Sequence, residues 1–159
     1  MLRKALPEDL DFIYGLYMHP LVNPWLLYEQ MGKDEFVPVY NDLLEKDIKY
    51  VFYANNMNAG MVKIIPYTYR AAHTVYIGGL AVHPDFKGHG YGKQLITDTI
   101  GFCRERGFLR LELSVAVVNK KAISLYEQAG FREEGVLKKY TWLASEGRFV
   151  DESLMALLF

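Results

Sequence analysis

The sequence has little cysteine, no excess of charge of either sign and no long apolar run. Its single cysteine, Cys103, excludes an intrachain disulfide framework and a metal site built from several cysteines. Lysine and arginine number 18 against 19 acidic residues, so the formal net charge is -1 and no basic surface for nucleic acid is expected. No apolar run reaches the roughly 18 residues of a membrane span, and the opening MLRKALPEDL does not look like a signal peptide. These absences favour a cytoplasmic protein that binds neither nucleic acid nor membrane.

What is present is the composition of an ordinary globular protein. Hydrophobic residues make up 51% of the 159 residues and charged residues 23%, which is typical of soluble domains. A chain of this length is expected to bury a core of its own. Because no repeat and no low-complexity linker divides the sequence, we expect a single domain over residues 1–159.

Hydrophobic periodicity predicts an alternation of strands and helices. The predicted elements are a strand at 2–6, helices at 7–20 and 33–48, a hairpin at 50–65, a strand at 73–82, a helix at 90–107, a strand at 108–117, a helix at 119–130 and two strands near 131–142 and 149–158. The clearest strand is the one in which Leu109, Leu111, Leu113, Val115 and Val117 alternate onto one face. The order β-α-α-β-β-β-α-β-α-β-β predicts a mixed α/β fold with a mainly antiparallel sheet and one local parallel βαβ unit.

A glycine-rich segment, AVHPDFKGHGYGKQL, joins a predicted strand to a predicted helix. Exposed backbone amides at a helix N-terminus attract anions. The segment is not a Walker A loop, because Lys87 stands where its first glycine should be. It is not a G-x-G-x-x-G dinucleotide loop either, because the third glycine is replaced by Lys93 or Leu95. With two lysines nearby, the ligand that it favours is a diphosphate held without metal.

The strand, the loop DFKGHGYG and the helix after it resemble the acetyl-CoA pyrophosphate loop of the GNAT N-acetyltransferases, whose usual pattern is Q/R-x-x-G-x-G/A. Here Lys87 takes the first place of the pattern, and Gly90 and Gly92 take the other two. Downstream, VNKKAISLYEQAGF resembles the N-x-x-A-x-x-x-Y-x-x-x-G-F segment of the same superfamily. The resemblance extends over most of the chain. It implies a GNAT-like α/β fold with a mainly antiparallel sheet, a splayed pair of parallel central strands and about four helices.

The resemblance also implies roles for individual residues. Tyr126 would supply the proton to the departing sulfur, and a phenol of ordinary pKa, ~10, is protonated at neutral pH. Asn119 would cap its helix and contact the cofactor. No metal is expected. The acetyl-CoA-binding residues implied are Leu80, Ala81 and Val82 on the strand, Lys87, Gly88, His89, Gly90, Tyr91, Gly92 and Lys93 in the loop, and Asn119.

The group that accepts the proton of the amine is less defined. Some members of the superfamily place a Glu five residues before the Asn, and Ser114 occupies that position here. Glu112, on the same face of the strand, is the candidate base, with an ion-paired strand residue as the alternative interpretation. An α-amine of pKa about 7.7–8.0 needs less help than a lysine of ~10.4, so the missing Glu favours an α-amine.

The region that would bind the acceptor is rich in aromatic residues. The candidate substrate-binding residues are Trp25, Tyr28 and Tyr76. A binding surface made of aromatic side chains suits a small amphipathic amine better than a polycation. The sequence therefore predicts direct acetyl transfer from acetyl-CoA to a primary amine of an amino acid or another small molecule. A homodimer is compatible with the sequence. Protein N-terminal acetylation and a non-catalytic acyl-CoA-binding module stay open as alternatives.

Overall fold

The computed structural model describes all 159 residues and contains seven strands and five α-helices, with short 3-10 turns between them. The strands are β1 (Leu2–Lys4), β2 (Lys49–Ala54), β3 (Met57–Pro66), β4 (Thr74–Val82), β5 (Arg110–Ala116), β6 (Arg132–Leu143) and β7 (Arg148–Leu158). The helices are α1 (Leu10–Met18), α2 (Asn23–Leu26), α3 (Lys33–Glu45), α4 (Tyr91–Glu105) and α5 (Lys120–Gln128). No helix is long and apolar enough to cross a membrane.

The predicted order of elements is confirmed, with one helix more than expected. The additional helix, α2, is a single turn between α1 and α3, too short to produce a periodic pattern in the sequence. The predicted helix at 7–20 begins as a 3-10 turn over Pro7–Asp9 and becomes α-helical only at Leu10. The stripe predicted for β5 is correct at its centre, where Leu111, Leu113 and Val115 are buried. It is wrong at Leu109, which precedes the strand and is exposed.

The seven strands form one sheet in the order β1-β2-β3-β4-β5-β7-β6. All neighbouring pairs are antiparallel except β4 and β5. These two parallel strands pair only over Thr74–Tyr76 and Arg110–Glu112 and then diverge. The expected splayed central pair is therefore confirmed. From Ile77 onward, the edge of β4 that faces β5 has no strand partner.

A hydrophobic core covers each face of the sheet. The larger core lies under α4 and α5 and includes Phe52, Leu95 and Leu111, and the smaller lies under α1 and α3 and includes Ile13 and Phe36. Cys103 belongs to the larger core, and burial raises the pKa of its thiol to about 12. This thiol is therefore a packing group at neutral pH rather than a nucleophile.

Candidate active site

A cavity of about 430 Å³ opens where β4 and β5 diverge. Because the two strands separate, their facing edges form its walls, and the chain around α2 lies against one side of it. This volume is within the range of small-molecule sites in enzymes. The lining residues include 77–82 of β4, 113–116 of β5, Lys63 of β3, Leu21, Val22 and 25–28 around α2, Asn119, Ala122 and Tyr126 at α5, and Tyr140, Thr141 and Glu152 of the closing hairpin.

Tyr126 presents a hydroxyl without a protein partner to this cavity. Asn119 begins its helix, where the Asn119 Oδ1 accepts a hydrogen bond from the Ala122 N–H at 3.2 Å. Two turns later the Tyr126 ring packs against Phe131, with ring centroids 6.0 Å apart. Burial, together with the neighbouring Tyr76, raises the pKa of Tyr126 to about 12. Tyr126 therefore carries its proton throughout the neutral range and is free to donate it.

The glycine loop presents a row of backbone N–H groups that no protein atom accepts. Gly88 and Gly90 have φ of +85° and +74°, and a Cβ built on either would meet no atom within 4 Å. Backbone conformation, rather than crowding, therefore requires glycine at both positions. The N–H groups without an acceptor in the protein are those of Gly88, Gly90, Tyr91, Gly92 and Lys93. The last three form the N-terminus of α4, so the whole row suits an anionic oxygen-rich group.

The side chains of the loop divide between solvent and core. Lys87 and Lys93 are exposed on either side of the amide row, where their charges add to its positive potential. The His89 Nδ1 lies 3.1 Å from the Phe86 carbonyl oxygen and 3.2 Å from that of Lys87. Tyr91 is buried, and its hydroxyl accepts a hydrogen bond from the Asn55 Nδ2 at 2.5 Å. The Tyr91 side chain therefore anchors the loop, and only its backbone is available to a ligand.

The predicted cofactor strand, Leu80 to Val82, lines the cavity along the open edge of β4. Gly79 before it has φ of +54°, and the register between β3 and β4 shifts between Met61 and Lys63. The glycine pair at Gly78 and Gly79 therefore lies at a bulge between β3 and β4.

The three aromatic residues predicted to bind the acceptor all line the cavity. Trp25 is 55% exposed at its edge. Tyr28 packs against Tyr17 with ring centroids 4.8 Å apart, and Tyr76 shares a 2.7 Å hydrogen bond with the Ser114 Oγ. The three rings therefore share one cavity with the predicted cofactor strand, and their role in binding the acceptor stays a prediction.

Glu112 is not brought to the cavity. It accepts a 2.7 Å hydrogen bond from the Arg110 Nε and a 3.2 Å hydrogen bond from the Tyr67 hydroxyl. Its register partner on β4 is Tyr76, the last pair before the strands diverge. Tyr76 of this pair lines the cavity and Glu112 does not. Because both carboxylate oxygens of Glu112 are already engaged, the geometry favours its ion-paired interpretation over the catalytic one.

Glu152 is the carboxylate that the sequence analysis missed. It is buried on β7 opposite Ala116, accepts a 2.5 Å hydrogen bond from the Thr141 Oγ1 and is the one acidic residue among those lining the cavity. No motif surrounds Glu152, and only the pairing of β7 with β5 brings it to the site. No group of three or more His, Cys, Asp or Glu side chains is arranged to hold a metal ion.

The model of the acetyltransferase (GNAT) family matches residues 10–131, and the chain belongs to that family. It is an acetyl-CoA-dependent N-acetyltransferase, as its relatives indicate. The chain is 28% identical to the spermidine N(1)-acetyltransferase of Vibrio cholerae over 164 residues, which cover 99% of this chain and 91% of that protein. It is 37% identical to the [ribosomal protein bS18]-alanine N-acetyltransferase of Escherichia coli (strain K12) over 78 residues, 49% of this chain and 51% of that protein.

The fold is that of solved enzymes of this family. The crystal structure of the Vibrio cholerae spermidine N-acetyltransferase in complex with CoA and spermine superposes with a TM-score of 0.85 at 27% identity, covering 99% of this chain and 94% of that one. The predicted family, fold and acetyl donor are thereby confirmed.

Proposed function

We propose that this enzyme acetylates the primary amine of an amino acid or another small molecule. The observation that carries the proposal is the cavity between β4 and β5, in which the free hydroxyl of Tyr126 and the carboxylate of Glu152 line one space of about 430 Å³. Aromatic side chains form much of its acceptor side. A space of this size and polarity matches a small amphipathic amine.

The residues of the loop fit the diphosphate of acetyl-CoA. The free amides from Gly88 to Lys93 and the charges of Lys87 and Lys93 would hold the phosphates. The open edge of β4 over Leu80–Val82 would take the pantetheine arm, and Asn119 lines the same cavity. When bound, acetyl-CoA supplies an acetyl group activated as a thioester.

The chain's own residues account for the proton movements. Glu152 would receive the proton of the acceptor amine, directly or through a water molecule, because it is the carboxylate at the cavity. Tyr126 would hold a proton at its Oη for the sulfur that departs. Unpaired N–H groups along the β4 edge would stabilise negative charge on the carbonyl oxygen. These roles require no covalent enzyme intermediate.

Protein N-terminal acetylation is the second candidate function. Leu21 and Trp25 lie at the cavity and are 70% and 55% exposed. They offer an apolar surface on which the residues after an acetylated N-terminus could lie. The similarity to the Escherichia coli enzyme named for a ribosomal-protein alanine points to the same class of acceptor.

The experiment that separates these functions is a comparison of acceptors in one assay. Release of free CoA thiol from acetyl-CoA is followed with free amino acids, with spermidine and with a peptide that begins with alanine. The proposal predicts the highest kcat/KM for an amino acid or another small monoamine. A kcat/KM highest for the peptide would establish the second candidate. One highest for spermidine would keep a small-molecule acceptor but contradict a monoamine.

A further inference from the structure

Two lysine side chains lie next to each other without an acidic partner, and one of them lines the cavity. Lys49 of β2 and Lys63 of β3 are cross-strand register partners, so they project from the same face of the sheet. Lys49 is only 2% exposed, and Lys63 lines the cavity. Neither ammonium group lies within ion-pair distance of a carboxylate. A lysine this buried is rare unless it is paired.

The two lysines meet the cavity at Gly79. A Cβ built on Gly79 would lie 3.2 Å from the Tyr17 Oη, 3.5 Å from the Lys63 Cε and 3.7 Å from the Lys49 Nζ. The Lys49 Nζ donates a hydrogen bond to the Tyr17 hydroxyl at 3.2 Å, which is the only hydrogen bond that it makes. Because position 79 is a glycine, no side chain of β4 separates this group of donors from the cavity.

The electrostatics of this group favour an anion. Burial lowers the pKa of both lysines, and the charge of Lys63 lowers that of Lys49 further. The neighbouring side chains are Tyr17 of α1, which contacts Lys49, and Tyr76 of β4, which lies beside Lys63 at Gly78, and neither is a carboxylate. An anion placed beside Lys63 would therefore accept charge-assisted hydrogen bonds from it and supply the acidic partner that the protein does not provide.

We propose that Lys63, backed by Lys49 and Tyr17, binds a carboxylate of the acceptor, so that the substrate is an amino acid or an amino-acid-like amine. This inference rests on the proposed function and narrows its substrate class. Glu152, on another wall of the same cavity, would attract the amine, and Lys63 would attract the carboxylate. A polyamine offers only cations to this wall and would be repelled there.

The test compares acceptors with and without the carboxylate, and the change in their ratio between wild type and variant removes the difference in amine pKa. Free L-amino acids are matched with their carboxamides in the wild-type enzyme, in Lys63→Met and in Lys63→Arg. In the wild type, kcat/KM should favour the acids by about tenfold to a hundredfold, the value of a hydrogen bond between charged groups. Lys63→Met should abolish that preference, mainly through KM. Lys63→Arg should retain part of it, because the positive charge remains.

The controls separate loss of this contact from loss of the enzyme. Lys46→Met makes the same chemical change on an exposed lysine at the end of α3 and should preserve the preference. Titration with acetyl-CoA should give the same affinity for Lys63→Met and wild type within about twofold, which shows that the variant is folded.

Three results would overturn the inference. The first is equal use of acids and amides by the wild type, the second is a preference that survives Lys63→Met, and the third is turnover of spermidine or peptides without turnover of amino acids. The first two leave acetyl transfer to small amines intact. Failure of every amine tested, with acetyl-CoA bound, would instead count against the proposed function.

Discussion

At the scale of single residues, the site depends on where two polar side chains lie relative to one cavity. The sequence predicts Tyr126 as the candidate proton donor, because it matches a family motif that lies within one local segment, from Asn119 to Phe131. Glu152 was not identified, because it reaches the cavity through the pairing of β7 with β5 rather than through a neighbouring motif. Glu112 looked equivalent in sequence but lies before the strands diverge.

Replacement of Tyr126 by Phe tests the proton donor. The ring and its contact with Phe131 remain, and only the hydroxyl that has no protein partner is lost. We expect kcat to fall on the order of a hundredfold with the affinity for acetyl-CoA unchanged. Steady-state kinetics and calorimetric titration measure the two quantities. An unchanged kcat with a genuine acceptor would show that Tyr126 is not the proton donor.

A pair of matched variants, Glu152→Gln and Glu112→Gln, tests which carboxylate serves the amine. Glu152→Gln should lower kcat on the order of a hundredfold, because the amide cannot take a proton. Glu112→Gln should leave kcat within about twofold and lower the free energy of unfolding by up to about 1 kcal/mol, since it weakens a half-buried ion pair with Arg110. The opposite ranking in kcat would restore Glu112 as the base.

At the scale of elements, the proposed binding chemistry lies on the loop between β4 and α4 and on the pair formed by β2 and β3. The loop could be predicted, because a glycine requirement at positive φ and a helix start are local properties of the chain. The lysine pair could not be predicted, since the register of a hairpin brings Lys49 opposite Lys63 only after a bulge at Phe52 and Tyr53 has been formed.

Replacement of Gly90 by Asp tests the loop, and Gly107→Asp is its control. Gly90 and Gly107 have φ of +74° and +80°, and a Cβ on either meets no atom within 4 Å. Both variants should therefore lose about 1 kcal/mol of stability from backbone strain. Only Gly90→Asp places a carboxylate among the free amides, and it should weaken acetyl-CoA binding by about tenfold or more. Equal affinities for acetyl-CoA in the two variants would show that the diphosphate does not bind at this loop.

Replacement of Lys49 by Met tests the state of the buried lysine pair. Burial lowers the pKa of Lys49 well below 10.5 in the folded chain. The charged form is therefore penalised on folding, and the penalty is complete below the folded-state pKa and fades as pH rises toward 10.5. Lys49→Met should raise the free energy of unfolding on the order of 1 kcal/mol at neutral pH, and less as pH approaches 10.5.

Urea unfolding at several pH values measures this difference. The remaining charged group facing position 49 is Lys63, and the other titratable group in contact is Tyr17; both are present in wild type and variant. A gain in stability that is constant across the pH range would contradict a charge penalty at Lys49.

At the scale of the whole molecule, one sheet with a splayed centre brings these parts together. The order of elements and the parallel pair followed from periodicity and from the family motifs, and the structure confirms both. The depth of the cavity could not be predicted from the sequence, because it depends on where β4 and β5 stop pairing and on how α2 closes one side. Such tertiary features leave no periodic trace in the sequence.

The measurement that tests this account most directly is calorimetric titration of the protein with acetyl-CoA, ATP and NAD in parallel. We expect binding of one equivalent of acetyl-CoA, with ATP and NAD binding at least about a hundredfold more weakly, because they lack the pantetheine arm that the open edge of β4 would take. Absence of acetyl-CoA binding, or equal affinity for all three nucleotides, would contradict the assignment of the glycine loop and of the β4 edge.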